Sequence, residues 1–176
     1  HMPSRRQRQM CIRDRDERGN YVSQCCGNLL DMDNKHVQQY VIESLKYWML
    51  EYHIDGFRFD QAHLLSLETA ELISNELRSI NPGVIIYGEA WDNRSEEFSE
   101  IEWGSFNAYF RDVIRGDLHN FEQKGFLFGS YRPNEDKGDL KSIISGTSKI
   151  SGGVYKRPHH AINFLEVHDD YCFSDF

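Results

Sequence analysis

Two short apolar runs, each closing on a carboxylate and separated by a helix-length segment, constrain this chain more than any other feature. They are Ile54-Asp55-Gly56-Phe57-Arg58-Phe59-Asp60 and Ile85-Ile86-Tyr87-Gly88-Glu89-Ala90-Trp91. Between them Leu67, Ala70, Leu72, Ile73 and Leu77 recur at helical steps from about Ser66 to Ile80, and Asn81-Pro82-Gly83 stops the pattern. The order strand, helix, strand implies a parallel βαβ unit. In such units ligand chemistry gathers at the C-terminal ends of the strands. Two carboxylates presented there side by side point to acid–base or nucleophilic work on a glycosidic bond.

Alternation along a strand sharpens the expectation. Arg58 and Asp60 share one face and suit the inner mouth of a barrel, whereas Phe57 and Phe59 suit the helix-packed side. An arginine two residues before an acid can hold it ionised and oriented. The alternative is a structural Arg58–Asp60 pair, with Asp60 capping the next helix. Tyr87 and Glu89 fall on one face by the same parity. Apolar neighbours such as Trp91 raise a glutamate's pKa toward that of a general acid, and an aromatic ring can stack on a sugar. The alternative is a loop glutamate beside a packing tryptophan. A third acid follows the apolar run Ala161 to Val167, in His168-Asp169-Asp170. That pair could serve sugar hydroxyls and an oxocarbenium-like transition state, or form a polar turn. Three acids at three strand ends weigh more together than singly.

The remaining pattern is consistent with α/β order. Asp33 or Asn34 caps a helix of four to five turns whose apolar positions are Val37, Tyr40, Val41, Leu45, Trp48 and Met49. Asp92 to Glu102 reads as an acidic loop, Trp103 to Asn107 as a short strand and Tyr109 to Leu118 as a helix. Residues 119–160 are broken by glycines, with one helix near Gly138–Ser145. Residues 1–18 are expected to be an artefactual or disordered tail: His1-Met2 resembles a cloning scar, and residues 8–15 a translated adaptor. Residues 19–176 would be a single partial catalytic domain.

Of the 176 residues, 39% are hydrophobic and 27% charged, as in a globular protein. The net charge of −8 argues against nucleic acid and suits a neutral substrate. No apolar run is long enough to cross a bilayer, and no signal-peptide pattern is present. Cys11, Cys25, Cys26 and Cys172 match no zinc spacing. His159-His160 has no carboxylate or cysteine at ligand spacing and reads as loop.

Gly56-Phe57-Arg58-Phe59-Asp60, Tyr87-Gly88-Glu89-Ala90-Trp91 and Asn163-Phe164-Leu165-Glu166-Val167-His168-Asp169-Asp170 resemble, in order, the second, third and fourth signature regions of the α-amylase superfamily, glycoside hydrolase family 13. The resemblance runs from Gly19 to the end. It is closest to pullulanase-type debranching enzymes through Ser44-Leu45-Lys46-Tyr47-Trp48, Ser74-Asn75-Glu76-Leu77, Ile80-Asn81-Pro82-Gly83 and the stretch from Phe106 to Gly116. It implies an α/β fold, a partial (β/α)8 TIM barrel covering roughly barrel strands 4 to 7 and truncated at both ends. A whole barrel takes about 250 residues.

The resemblance further implies a retaining hydrolase of α-1,6 bonds in starch, glycogen or pullulan-type glucans. Asp60 would be the nucleophile, Glu89 the general acid/base and Asp169 the transition-state stabiliser. Arg58 would orient Asp60, and His168, Trp91 and Asp170 would contact the sugar. The two catalytic carboxyls would stand about 5–5.5 Å apart. No cofactor is implied. Calcium occurs in many members, but its ligands would lie partly outside this chain. The partner would be an α-glucan, with neither nucleic acid nor membrane. Two departures stand out: the first signature region is absent, and Gln61-Ala62-His63 replaces the family's usual residues after the nucleophile. The chain is therefore expected to be a fragment inactive by itself. Alternatives are an α-1,4-acting amylase or transglycosylase of the superfamily, or a non-catalytic carbohydrate-binding relative.

Overall fold

The computed structural model describes residues 13–24, 27–91, 93–117, 120, 122–129, 137–169 and 171–172. Cys11, Cys25, Cys26, Asp170 and the first twelve residues lie outside the described residues. The chain divides into two compact units. One comprises residues 1–56 and 64–85, the other residues 57–63 and 86–176.

The first unit opens with an antiparallel hairpin, β1 (Ser23–Gln24) and β2 (Gly27–Asn28), extended by bridges Arg13↔Leu30 and Arg15↔Tyr21. Asp16 fixes the preceding turn by accepting from the backbone N–H groups of Arg18 and Asn20, which lowers its pKa. Helix α1 (Lys35–Tyr52) starts on Asn34, whose side chain accepts from His36 N–H. It ends on His53, which is left-handed at φ 55° while its N–H donates to the Trp48 carbonyl. Helix α2 (Leu67–Ile80) is capped by Ser66, and Asp33 in turn accepts from the Ser66 hydroxyl at 2.7 Å. The two helices are tied by Gln38 to Thr69 at 2.9 Å and by the Lys46–Glu76 ion pair. The apolar face of α1 is corrected in part. Val37, Ile42 and Met49 are buried, but Tyr40 is 72% exposed and Trp48 45%, so the buried stripe runs through Ile42 instead. Leu72 of α2 is likewise exposed while Ala70, Ile73 and Leu77 are buried.

Four strands form a parallel sheet in the order β3 (Gly56–Phe59), β4 (Ile85–Gly88), β5 (Gly104–Phe106), β6 (Ala161–Ile162). Register is set by Tyr87↔Gly104 and Gly88↔Ser105, then by Ser105↔Ala161 and Phe106↔Ile162. Gly88 is required by close approach: a Cβ there would lie 2.5 Å from the Ala62 Cβ. On one side of the sheet Phe59, Phe98 and Trp103 stack at 4.8 and 5.5 Å, with Phe98 and Trp103 fully buried.

The acidic stretch read as a loop holds a short helix, α3 (Ser95–Glu100), because Phe98 and Ser99 are buried against the sheet. Helices α4 (Ala108–Ile114) and α5 (Lys137–Ile144) stand where helices were expected. The run Ala161 to Val167 is strand only at its first two residues. Its last ladder bond is Asn107 N–H to Ile162 O at 2.9 Å. Beyond it β5 gives way to α4, and among the described residues 163–167 pair with no strand.

Candidate active site

All the site residues fall within the second unit. The C-terminal ends of β3 and β4 are locked by Glu89 N–H donating to Phe59 O at 3.1 Å and His63 N–H donating to Glu89 O at 3.1 Å. These two bonds bring the residue after each strand to the same edge, placing Asp60 beside Glu89. Arg58 joins them. Its Nη2 hydrogen-bonds Glu89 Oε1 and forms an ion pair with Asp60 Oδ1 at 3.2 Å. Two oxygens that each lie within contact distance of one nitrogen stand within about 6 Å of one another. Glu89 Oε2 accepts from the backbone N–H of Gln61 at 3.1 Å, and Gln61 adopts φ 44°.

The two carboxylates occupy unlike surroundings. Glu89 is 5% exposed, whereas the Asp60 side chain is 65% exposed. The Asp60 carboxylate is thus open to solvent, whereas that of Glu89 is held by Arg58 and by the Gln61 N–H. The strand pattern assigned Arg58 to Asp60 alone, and the fold gives it to both acids. The Asp60 cap of the next helix does not form, since Ser66 caps α2.

The face bearing Arg58 is aromatic. Its guanidinium lies over the Phe106 ring at 5.7 Å. Phe106 also meets Tyr87 at 5.7 Å, Phe164 at 5.0 Å and Trp91, nearly parallel, at 6.3 Å. Phe106 was not singled out from sequence. Its signal was the alternation Gly104, Ser105, Phe106, which puts positions 104 and 106 on one side. Arg94 was missed as well. Its guanidinium binds the His63 carbonyl and pairs with Glu97 at 2.8 Å, bracing the loop after Asp60.

From Trp91 and Phe106 a cavity of about 670 Å³ runs past Asn107, Tyr109, Asp139 and Tyr155. Burial and the Asp139 carboxylate hydrogen-bonded to its hydroxyl push the Tyr109 pKa up to about 12. His168 and Asp169 are exposed and pair with each other at 3.3 Å. Among the described residues, the bonds linking Asp60, Glu89 and Arg58 do not extend to them. Asp170 lies outside the described residues.

No family model matches the chain. Pullulanase of Bacillus subtilis is 27% identical over 162 residues, covering 85% of this chain and 22% of that protein. A GlgX homologue of the glycogen operon in Haemophilus influenzae is 28% identical over 171 residues, covering 92% and 24%. Rice isoamylase 3 is 28% identical over 165 residues, covering 85% and 19%. Among solved structures, a mutant pullulanase of Paenibacillus barengoltzii complexed with maltotriose superposes with a TM-score of 0.81 at 26% identity, over 93% of this chain and 27% of that one. Pullulanase of Bacillus acidopullulyticus gives 0.76 at 32%, over 90% and 20%. The chain spans about a quarter or less of the length of the curated relatives it matches.

Proposed function

We propose, for a chain homologous to the debranching enzymes of glycoside hydrolase family 13, that it supplies the catalytic strand ends of a retaining α-glucan hydrolase acting on α-1,6 branch bonds. Asp60 attacks the anomeric carbon while Glu89 protonates the leaving oxygen. Water activated by Glu89 then releases the glycosyl ester on Asp60, and Asp169 stabilises the positive charge that develops on the sugar. His168, Trp91 and Asp170 hold the sugar ring at the point of cleavage. No cofactor takes part in these steps.

The observation that carries this reading is the single Arg58 nitrogen shared by Asp60 and Glu89. Sharing keeps the carboxylates closer than the roughly 6.5–9.5 Å that an inverting enzyme needs to seat water between them. The contrast in exposure fits the assigned roles, and the aromatic-walled cavity beginning at Trp91 offers surface for a glucan. Debranching is favoured over α-1,4 cleavage because the relatives by sequence are a pullulanase, a GlgX homologue and an isoamylase.

The test is an exchange. The matched segment of Bacillus subtilis pullulanase is replaced by this chain, and the hybrid is assayed on pullulan and on amylose. Pullulan hydrolysis, abolished by Asp60→Asn, is expected. A hybrid that melts cooperatively yet leaves pullulan intact would overturn the proposal.

A further inference from the structure

Glu102 and the pair His159-His160 are 57 positions apart in sequence, yet the fold gathers them. One ligand atom from each lies within 4.8 Å of the other two. Glu102 follows α3 in a left-handed conformation at φ 64°. The histidines close the single helical turn Pro158–His160 that leads into β6. The carboxylate that the local sequence around His159-His160 lacks, and whose absence made the pair read as loop, is brought in by the tertiary structure.

We propose that Glu102, His159 and His160 form a binding site for a divalent transition metal of the zinc class, separate from the glycosidase residues. Two imidazoles and one carboxylate are borderline donors that suit Zn²⁺ and not Ca²⁺ or Mg²⁺, which take oxygen. His160 is 3% exposed, and its Nδ1 meets Ser99 Oγ at 2.8 Å. Ser99 Oγ also accepts from Lys156 N–H at 2.7 Å. His160 Nε2 faces Glu102 Oε2 at 3.3 Å, and in the tautomer with Nδ1–H donating to Ser99 its lone pair would be open to a metal. Without metal the same gap is spanned by an Nε2–H to Oε2 hydrogen bond, and a bound metal would take the place of that proton. This arrangement of a hydroxyl behind a ligating histidine fixes the ring's tautomer and direction.

Glu102 is also oriented from behind. Lys156 holds Oε1 at 2.8 Å, so that Oε2 is the oxygen turned toward His160. Arg157, at 3.5 Å from Oε2 and 55% exposed, can turn out to solvent. Ligands of one zinc ion stand no more than about 4.2 Å apart. The exposed His159 ring, 4.6 Å from that of His160, therefore closes in slightly, and water completes the shell.

Zinc titration of the metal-free protein by calorimetry, with melting curves in parallel, tests the site. His159→Ala and Glu102→Gln are the variants, since neither removes a fully buried side chain. The expected result is one zinc bound per chain, at least tenfold weaker binding in each variant, and a zinc-dependent rise in Tm that both variants lose. Co²⁺ should give the visible bands of a four-coordinate site in the parent protein only. Zinc affinity and Tm shift unchanged by both substitutions would overturn the proposal, as would no zinc binding at all; the cluster would then be a hydrogen-bonded anchor between α3 and β6.

Discussion

At the scale of single residues, Arg58 decides most. Its side chain is three-quarters buried, and both its partners lie at the strand ends. Arg58→Ala removes the group that holds Asp60 and leaves Glu89 buried without its cation. Breaking a buried pair costs about 3–5 kcal/mol, so the variant should melt earlier and lose catalysis in the exchange hybrid. Arg58→Lys should restore part of the Tm but little of the rate, because one ammonium cannot reproduce the planar fork. An Arg58→Lys hybrid as fast as the unsubstituted hybrid would deny Arg58 its orienting role. Gly88→Ala probes the same site through packing. Its Cβ would press on Ala62 and the Phe59 carbonyl, shifting β4 against β3. A loss of about 1–3 kcal/mol is expected in denaturant unfolding.

Helices and strands make their own predictions. His53 ends α1 in a conformation that costs an L-residue about 1–2 kcal/mol. His53→Gly should therefore raise the stability of the first unit by up to about 1 kcal/mol, read from the urea midpoint. In the second unit Tyr109, in the first turn of α4, bonds Asp139 of α5. Its pKa of about 12 exceeds the ordinary 10.0. The unfolded chain therefore loses this proton first as pH rises. The stabilisation is complete below pH 10 and disappears between pH 10 and about 12. Tyr109→Phe should flatten that alkaline loss, while phenolate absorbance in the parent should titrate late.

Sequence pattern made these elements legible where local chemistry set them. Asn34, Ser66 and Asn81-Pro82-Gly83 mark helix ends with their own side chains, and those ends stand in the structure. Pattern failed where tertiary contact set the outcome. Helix α3 depends on burying Phe98, and the run Ala161 to Val167 stops being strand when its neighbour turns into helix. The site shows the same division. Parity along β3 and β4 put Arg58 with Asp60 and Tyr87 with Glu89 at neighbouring strand ends, where the structure has them. The sharing of Arg58, the Gln61 N–H on Glu89 and the Glu102–His160 contact join residues distant in sequence and carry no local signal.

Over the whole molecule, charge and exposed surface are the relevant quantities. The net charge of −8 is unfavourable toward phosphate polymers and indifferent to an uncharged ligand. The first unit presents Tyr47, Trp48 and Tyr52 as a mutually packed exposed cluster on α1, with Trp48 and Tyr52 rings 4.7 Å apart. Such a patch should bind a solvatochromic dye, and Trp48→Lys should reduce that fluorescence. The core of the second unit rests on Trp103, where Trp103→Ala should cost about 3–5 kcal/mol.

Two carboxylates close enough for a covalent glycosyl intermediate are the centre of the proposed chemistry. Proton NMR of the first sugar released from pullulan by the exchange hybrid tests this most directly. Retention predicts that the new reducing end appears as the α-anomer and only later mutarotates. Initial appearance of the β-anomer would contradict it.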